Sequence, residues 1–527
     1  MNFTSAEFLL FFPIVLLLFR FLPPNTRWML LLAASWAFYM SYNPSTGILL
    51  ILATTCSYLA GIRIEDCRKD KTAGFKMQLW TSVGIGVPLA CLLVFKYAGF
   101  AADNVSALAN AIGIHTAARL PRFVLPIGIS FYTFQTLSYV IDVRRGTIPA
   151  ERHFGLYALF VSFFPQLVAG PIERPGKLIP QLRRVCGMPF AECSVPGGSQ
   201  SAFVSTGLPE APRPRSSSER GDLANGLGLM LLGFFKKLVV ADYLAQFAEP
   251  VYHDPSGATG LSVILAAFFF AIQIYCDFSG YSDIACGAAR MLGVRLTENF
   301  RLPYSAGSLH EFWRRWHISL TSWLTDYIYI PLGGSRRGLA RQLVNIMIVF
   351  AVSGLWHGAD WSFVIWGLLH GAAMCLETMI LAGKTGGTTL EKEAEYPAKA
   401  VAMLHRILTF AFVCFTWIFF RAEGLGDAFI LIQRLFAGYG PHAFADTIAG
   451  MGMTGTAPVH IMLVLVCLAL LEKMRSGGLT YIYPLAGKEE SQESKALFII
   501  IMVMTIAASW LMLLAEHAGN VFIYFRF

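Results

Sequence analysis

Apolar runs nearly as long as a bilayer is thick recur from one end of this chain to the other. A helix needs about 20 predominantly apolar residues to cross the hydrocarbon core. Twelve segments approach that pattern, near 6–22, 27–43, 45–62, 77–98, 123–141, 225–247, 258–281, 342–358, 361–383, 399–420, 458–472 and 495–515. In lipid every main-chain N–H and C=O must be bonded internally, which limits such segments to helices or closed barrels. Only 14% of the 527 residues are charged, against about 25% in soluble domains, so polar surface for a water-soluble fold is missing. The expectation is an all-α polytopic membrane protein with about 12 transmembrane helices.

Charge sets the orientation. Lys and Arg exceed Asp and Glu by 41 − 33 = 8, an excess that in a membrane protein reports positive-inside anchoring rather than nucleic-acid binding. Arg63, Arg68, Lys69, Lys71 and Lys76 crowd the third loop, which is therefore cytoplasmic, whereas "SYNPST" before it has no basic residue. Both termini then lie outside. Two apolar stretches break the alternation. Residues 155–171 carry Arg144, Arg145 and Arg152 before them and Arg174, Lys177, Arg183 and Arg184 after. A hairpin turning at Pro165 or Gly170 keeps both clusters inside. Residues 308–332 are flanked by arginines in the same way and are amphipathic, so they too are expected to be re-entrant or interfacial. Residues 185–224 are rich in Ser, Pro, Gly and Arg and are expected to form a flexible cytoplasmic loop.

Several familiar patterns fail. "GMGMTG" at Gly450 follows no strand, so it is not a dinucleotide loop. "HEFWR" at His310 has Arg314 where a zinc protease needs its second histidine. No GxSxG elbow is complete, because Ile284 stands in place of the last glycine. The ten cysteines show no CxxC pair, and no metal site is expected.

What remains is a set of ionisable residues inside apolar segments, where they are costly and mark function by default. One group is Gln273, Tyr275, Asp277, Ser279 and Asp283. A second is Arg314, Arg315, His317 and Asp326. The third is "SGLWHGADWSFVIWGLLHG" (353–371), with His357, Asp360 and His370. Histidine can take a proton from a hydroxyl near neutral pH, and a dry membrane interior would protect a thioester from hydrolysis. Two histidines could frame one acyl transfer. Asp277 and Asp283 read more simply as polar glue between helices, and His370 as a packed, hydrogen-bonded residue.

The stretches "LPIGISFYTFQTLSYVIDVRRG" (125–146), "FFPQLVAGPIERP" (163–175), "IQIYCDFSGYSDIACGAARMLG" (272–293), "EFWRRWHISLTSWLTDYIYIPLGG" (311–334) and "LWHGADWSFVIWGLLHG" (355–371) together resemble the membrane-bound O-acyltransferases. The likeness is to their bacterial branch that O-acetylates alginate and peptidoglycan. It implies one membrane-embedded domain over 1–527, with helices in a ring around a thinned centre. It implies His357 as the catalytic base and His317, 40 residues earlier, as the second active-site histidine. The implied donor is acetyl-CoA or another acyl thioester on the cytoplasmic side, with no permanently bound cofactor. Arg314, Arg315, Arg336 and Arg337 are candidates to meet its phosphates, with positive-inside anchoring as the open alternative. The implied location is the bacterial inner membrane. The implied partners are membrane lipids, a secreted or membrane-anchored acetyltransferase outside, and through it a cell-surface polysaccharide. Transfer of a D-alanyl or fatty-acyl group from a carrier protein, and a transporter, are the rival readings. The tail 516–527 ends in "GNVFIYFRF". Tyr524 within it is either an interfacial anchor or, by resemblance to related surface-acylation systems, a transient acyl acceptor.

Overall fold

A computed structural model describes residues 1–70, 73–114, 125–189, 216–385 and 399–476. Among them the regular elements are all helical. Seven helical segments are long and apolar enough to cross a membrane: Pro44–Lys69, Gly74–Ala111, Asp222–His253, Gly260–Met291, Leu339–His357, Trp361–Gly383 and Ala400–Arg421. Each stands where a span was expected. Helices Ala6–Phe21, Arg27–Met40, Ile129–Arg145 and Ala457–Ser476 occupy four more expected positions without meeting that measure. The first two, with 16 and 14 residues, reach only about 24 and 21 Å at 1.5 Å per residue. The expected span at 495–515, the loop between 190 and 215 and the tail with Tyr524 lie outside the described residues.

The chain divides into two compact units. The first comprises Met1–Val94, Leu125–Leu231 and Asp283–Thr297. Its centre is the Ile129–Arg145 helix, which is buried almost throughout although it carries Ser130, Thr133, Gln135, Thr136 and Ser138. Protein surrounds it on most sides, and with 17 residues it is also shorter than the helices counted above. Gly84 lets two neighbouring helices close on it. A Cβ there would lie 2.6 Å from Ala60 Cβ and 3.0 Å from Val140 Cγ2. Small residues at such contacts are the usual device of membrane helix packing. Basic residues at the end of this helix bundle are tied down as well. Arg183 pairs with Glu151 at 2.5 Å, and Arg152 with Glu65 at 2.8 Å and Asp66 at 2.9 Å.

The expected hairpin at 155–171 is two short helices, Phe154–Ser162 and Phe164–Leu167, of nine and four residues. The helix breaks at Phe163, and Pro165 opens the second piece. The Phe164 N–H freed by the break bonds Ser35 Oγ at 3.1 Å, and Gln166 Nε2 bonds the Phe160 carbonyl at 2.8 Å. Irregular backbone is tolerated at depth only with such internal partners. Just beyond, burial raises the Glu173 carboxyl above its ordinary pKa, while the N–H and hydroxyl of Thr297 bond it and pull it back down.

The second unit comprises Phe95–Val124, Leu232–Ser282 and Glu298–Phe527. Its central pair is Leu339–His357 packed on Trp361–Thr385. Glycine permits the approach, since a Cβ on Gly367 would sit 3.2 Å from Gly354 Cα. The segment expected to be re-entrant or interfacial at 308–332 consists of helices Leu309–Arg315 and Ile318–Leu324 and a π turn at Thr325–Tyr329. Neither helix has more than seven residues.

Since no piece of 154–167 can cross, single cysteines at the exposed positions Arg144 and Lys177 should react with an impermeant maleimide from the same side of the membrane. Labelling from opposite sides would show that 155–171 spans.

Candidate active site

His357 is the last residue of the Leu339–His357 helix. The final carbonyls of a helix have no intrahelical donors and need other partners when buried. Here the partners come from the Leu93–Tyr97 segment, where the helix takes a π turn. Lys96 Nζ donates to the Trp356 carbonyl and, at 3.3 Å, to the His357 carbonyl, and Tyr97 Oη donates to the Leu355 carbonyl at 2.6 Å. A cation at a helix C-terminus also meets the negative end of its dipole. On the other side of the turn, Asp360 Oδ1 accepts the Ser362 N–H at 2.7 Å, as an N-cap does for the helix that follows. The aspartate in the motif is therefore structural, and the two helix ends hold His357 between them.

His317 is placed by a different device. It links the two short helices with φ 45° and ψ 52°, left-handed values that a non-glycine residue rarely adopts. Such strain persists only where the surroundings enforce it, and it collects at functional sites. The enforcing segment is 299–301. Ile318 N–H bonds the Asn299 carbonyl and Arg301 N–H the Arg315 carbonyl, each at 2.9 Å. The Asn299 side chain adds three contacts through Oδ1: His317 Nδ1 at 3.1 Å, Ser319 N–H at 3.2 Å and Ser319 Oγ at 2.9 Å.

The two histidines meet. Their ring centroids are 6.4 Å apart, and their exposures are 0% for His317 and 4% for His357, so bulk water does not reach them freely. Aromatic rings surround both. Phe278 lies edge-on to His317 at 4.6 Å, and Trp366 and Phe420 edge-on to His357 at 5.0 and 5.3 Å. Trp366 stacks on Trp417, whose indole N–H bonds Tyr304 Oη at 3.2 Å. Two imidazoles buried among aromatic rings can accept and return a proton while such burial keeps water from a reactive acyl group.

His370 serves packing. Trp313 Nε1 donates to its Nδ1 at 3.3 Å, and its Nε2 lies 3.0 Å from Thr416 Oγ1. Asp277 binds Lys237 at 2.6 Å, the interhelical ion pair expected of polar glue. Of the four arginines, Arg315 bonds Ser305 Oγ at 2.6 Å and pairs with Glu311. Arg314 is exposed on the same helix, and Arg336 and Arg337 are exposed in the turn before Leu339. The residues that sequence reading missed are Asn299, Lys96 and Tyr97. Lys96 carried a signal, as the sole charged residue between Lys76 and Asp103. Asn299 carried none, being one polar residue in a polar loop.

A family model described as the membrane-bound O-acyltransferase family, MBOAT, matches residues 32–416. The chain belongs to that family. As an MBOAT protein it is an O-acyltransferase, and the transporter reading falls. The probable alginate O-acetylase AlgI of Azotobacter vinelandii is 35% identical over 450 residues, covering 85% of this chain and 80% of that protein. The peptidoglycan O-acetyltransferase of Helicobacter pylori is 30% identical over 435 residues, covering 77% and 73%. The teichoic acid D-alanyltransferase of Bacillus subtilis is 23% identical over 310 residues, covering 56% and 69%. The matched span of the family model contains both His317 and His357.

Because Lys96 caps the helix that ends in His357, Lys96→Met should lower the melting temperature in detergent. The expected loss is about 1–3 kcal/mol for leaving buried carbonyls without a donor. Tyr97→Phe, which strips one neutral bond, should cost less. Melting temperatures equal to wild type in both variants would remove the capping role.

Proposed function

We propose that this protein moves acetyl groups from a cytoplasmic acetyl thioester, acetyl-CoA or a relative of it, toward a cell-surface polysaccharide. The observation that carries the reading is the contact between His317 and His357 in a buried aromatic chamber. Acetyl rather than D-alanyl transfer is supported by the relatives named for O-acetylation. They match at 30–35% over most of the chain, whereas the D-alanyltransferase matches at 23% over 56% of it.

In the proposed step the acceptor hydroxyl gives its proton to His357 as its oxygen forms a bond to the thioester carbonyl carbon. The C–S bond breaks, and the departing thiolate takes up the proton. His317 holds the reacting groups from the facing side. The finer architecture belongs to the same proposal: about twelve crossings in the inner membrane, a ring of helices with a thinned centre, and the whole chain as one membrane-embedded acyltransferase. Exposed Arg314, Arg336 and Arg337 would meet donor phosphates, and Arg315, already bonded to Ser305 and Glu311, contributes least. Tyr524 would take the acetyl group outside and hand it to a partner acetyltransferase. A phenol near pKa 10 needs a base to react, which His357 supplies.

His357→Ala should cut surface O-acetylation by about 10²- to 10⁴-fold at equal expression, the usual loss for a missing general base. Near-normal acetylation would make His357 structural and end this reading. Tyr524→Phe keeps the aromatic anchor and removes only the hydroxyl. Polymer acetylation should be lost while membrane insertion is unchanged, and full activity would leave the tail as an anchor.

A further inference from the structure

The Asn299 side chain fixes more than a loop. The Ser319 main-chain N–H, which can only donate, points at its terminal atom from 3.2 Å. That atom is therefore the carbonyl oxygen, and the amide group faces the other way, toward Ser282 Oγ at 3.4 Å. A carbonyl oxygen only accepts. The His317 nitrogen 3.1 Å away must then be the one that carries hydrogen. In a neutral imidazole this leaves the lone pair on Nε2.

Resting on the acyl-transfer reading above, we infer that Asn299 is a positioning residue that locks His317 as the Nδ1–H tautomer and makes its Nε2 an acceptor in the reaction. A neutral ring held this way cannot donate a hydrogen bond from Nε2 to the oxyanion of the tetrahedral intermediate. It accepts from the attacking hydroxyl or from the protonated partner ring instead. Two roles were compatible with the position of His317, and this tautomer selects the accepting one. The strained main chain at His317 serves the same end. Left-handed φ and ψ bring Nδ1 back onto Asn299 while Ile318 N–H reaches the carbonyl of the same residue at 2.9 Å.

His317 faces His357 from the Leu339–His357 helix, and Lys96 reaches the His357 carbonyl. Among the described residues, rings also pack against His317: Phe278 from the Gly260–Met291 helix, Phe300 from the loop and Trp356. Aspartate at 299 would keep an acceptor for all three donors and add a negative charge beside Nδ1–H, which favours the protonated ring.

The test is the pH dependence of acetyl-thioester turnover by the full-length protein in proteoliposomes, for wild type, Asn299→Asp, Asn299→Ala and His357→Ala. In Asn299→Asp the acid limb of kcat/KM should move to higher pH, because an acceptor that protonates more readily is lost sooner as pH falls. A donor at His317 would instead have to be the protonated ring, so the basic limb would move to higher pH and the acid limb would stay in place. Asn299→Ala should lower kcat by about 10- to 100-fold, the scale of one lost charge-assisted hydrogen bond, with KM for the donor near wild type. An acid limb in Asn299→Asp that stays at the wild-type position, with or without a basic limb moved to higher pH, overturns the inference, and so does full kcat in Asn299→Ala. Should the alanine variant misfold, the aspartate variant decides alone. If turnover survives His357→Ala, the acyl-transfer reading fails and the inference with it. If turnover requires His357 yet ignores Asn299, only the inference fails.

Discussion

A helix that ends in a buried place leaves main-chain carbonyls with no partner, and the candidate active site is built on such an end. Leu355, Trp356 and His357 give up their carbonyls there, and Lys96 and Tyr97 take them. Water cannot solve the problem at that depth, so a side chain from another segment must. The arrangement has a consequence for chemistry. His357 is held by its own main chain, and its ring need not hold the helix together. A residue fixed this way can change protonation without loosening the structure that places it.

His317 reaches the same chamber by strain rather than by capping. Its left-handed main chain is held by bonds to the 299–301 loop on both sides. The two imidazoles therefore sit on independent supports and meet within 6.4 Å. Around them the protein spends tryptophan and phenylalanine rather than polar residues. Burial on this scale keeps water from a reactive acyl group, and it strengthens each interaction made inside. Several polar residues nearby are paired or capped: Asp277 with Lys237, Asp360 with Ser362, and His370 with Trp313 and Thr416.

Much of this could be read from the residues. Length and apolarity alone placed seven helices, because a span leaves a pattern that no soluble segment copies. Flanking arginines exposed 155–171 and 308–332 as something other than spans, since charge obeys topology. His317 and His357 stood out as ionisable groups in apolar surroundings. The rest was hidden for definite reasons. The helix at 129–145 is polar because protein surrounds it, and sequence does not say what surrounds a helix. Helix Ala6–Phe21 matches its expected run to within one residue, whereas Arg27–Met40 stops three residues before its apolar run does, at the turn before Pro44. Asn299 acts through geometry across 18 residues, and Lys96 across 260. Such pairings appear only once the chain is folded.

His317 and His357 are proposed to act as one catalytic unit, and a double-variant cycle measures that unity directly. Turnover of labelled acetyl thioester in proteoliposomes would be compared for wild type, His317→Ala, His357→Ala and the double variant. Residues that act together show losses far from additive. The double variant should therefore be about as slow as the slower single variant. Losses that multiply would mean two separate roles, and the shared chamber would then be packing alone.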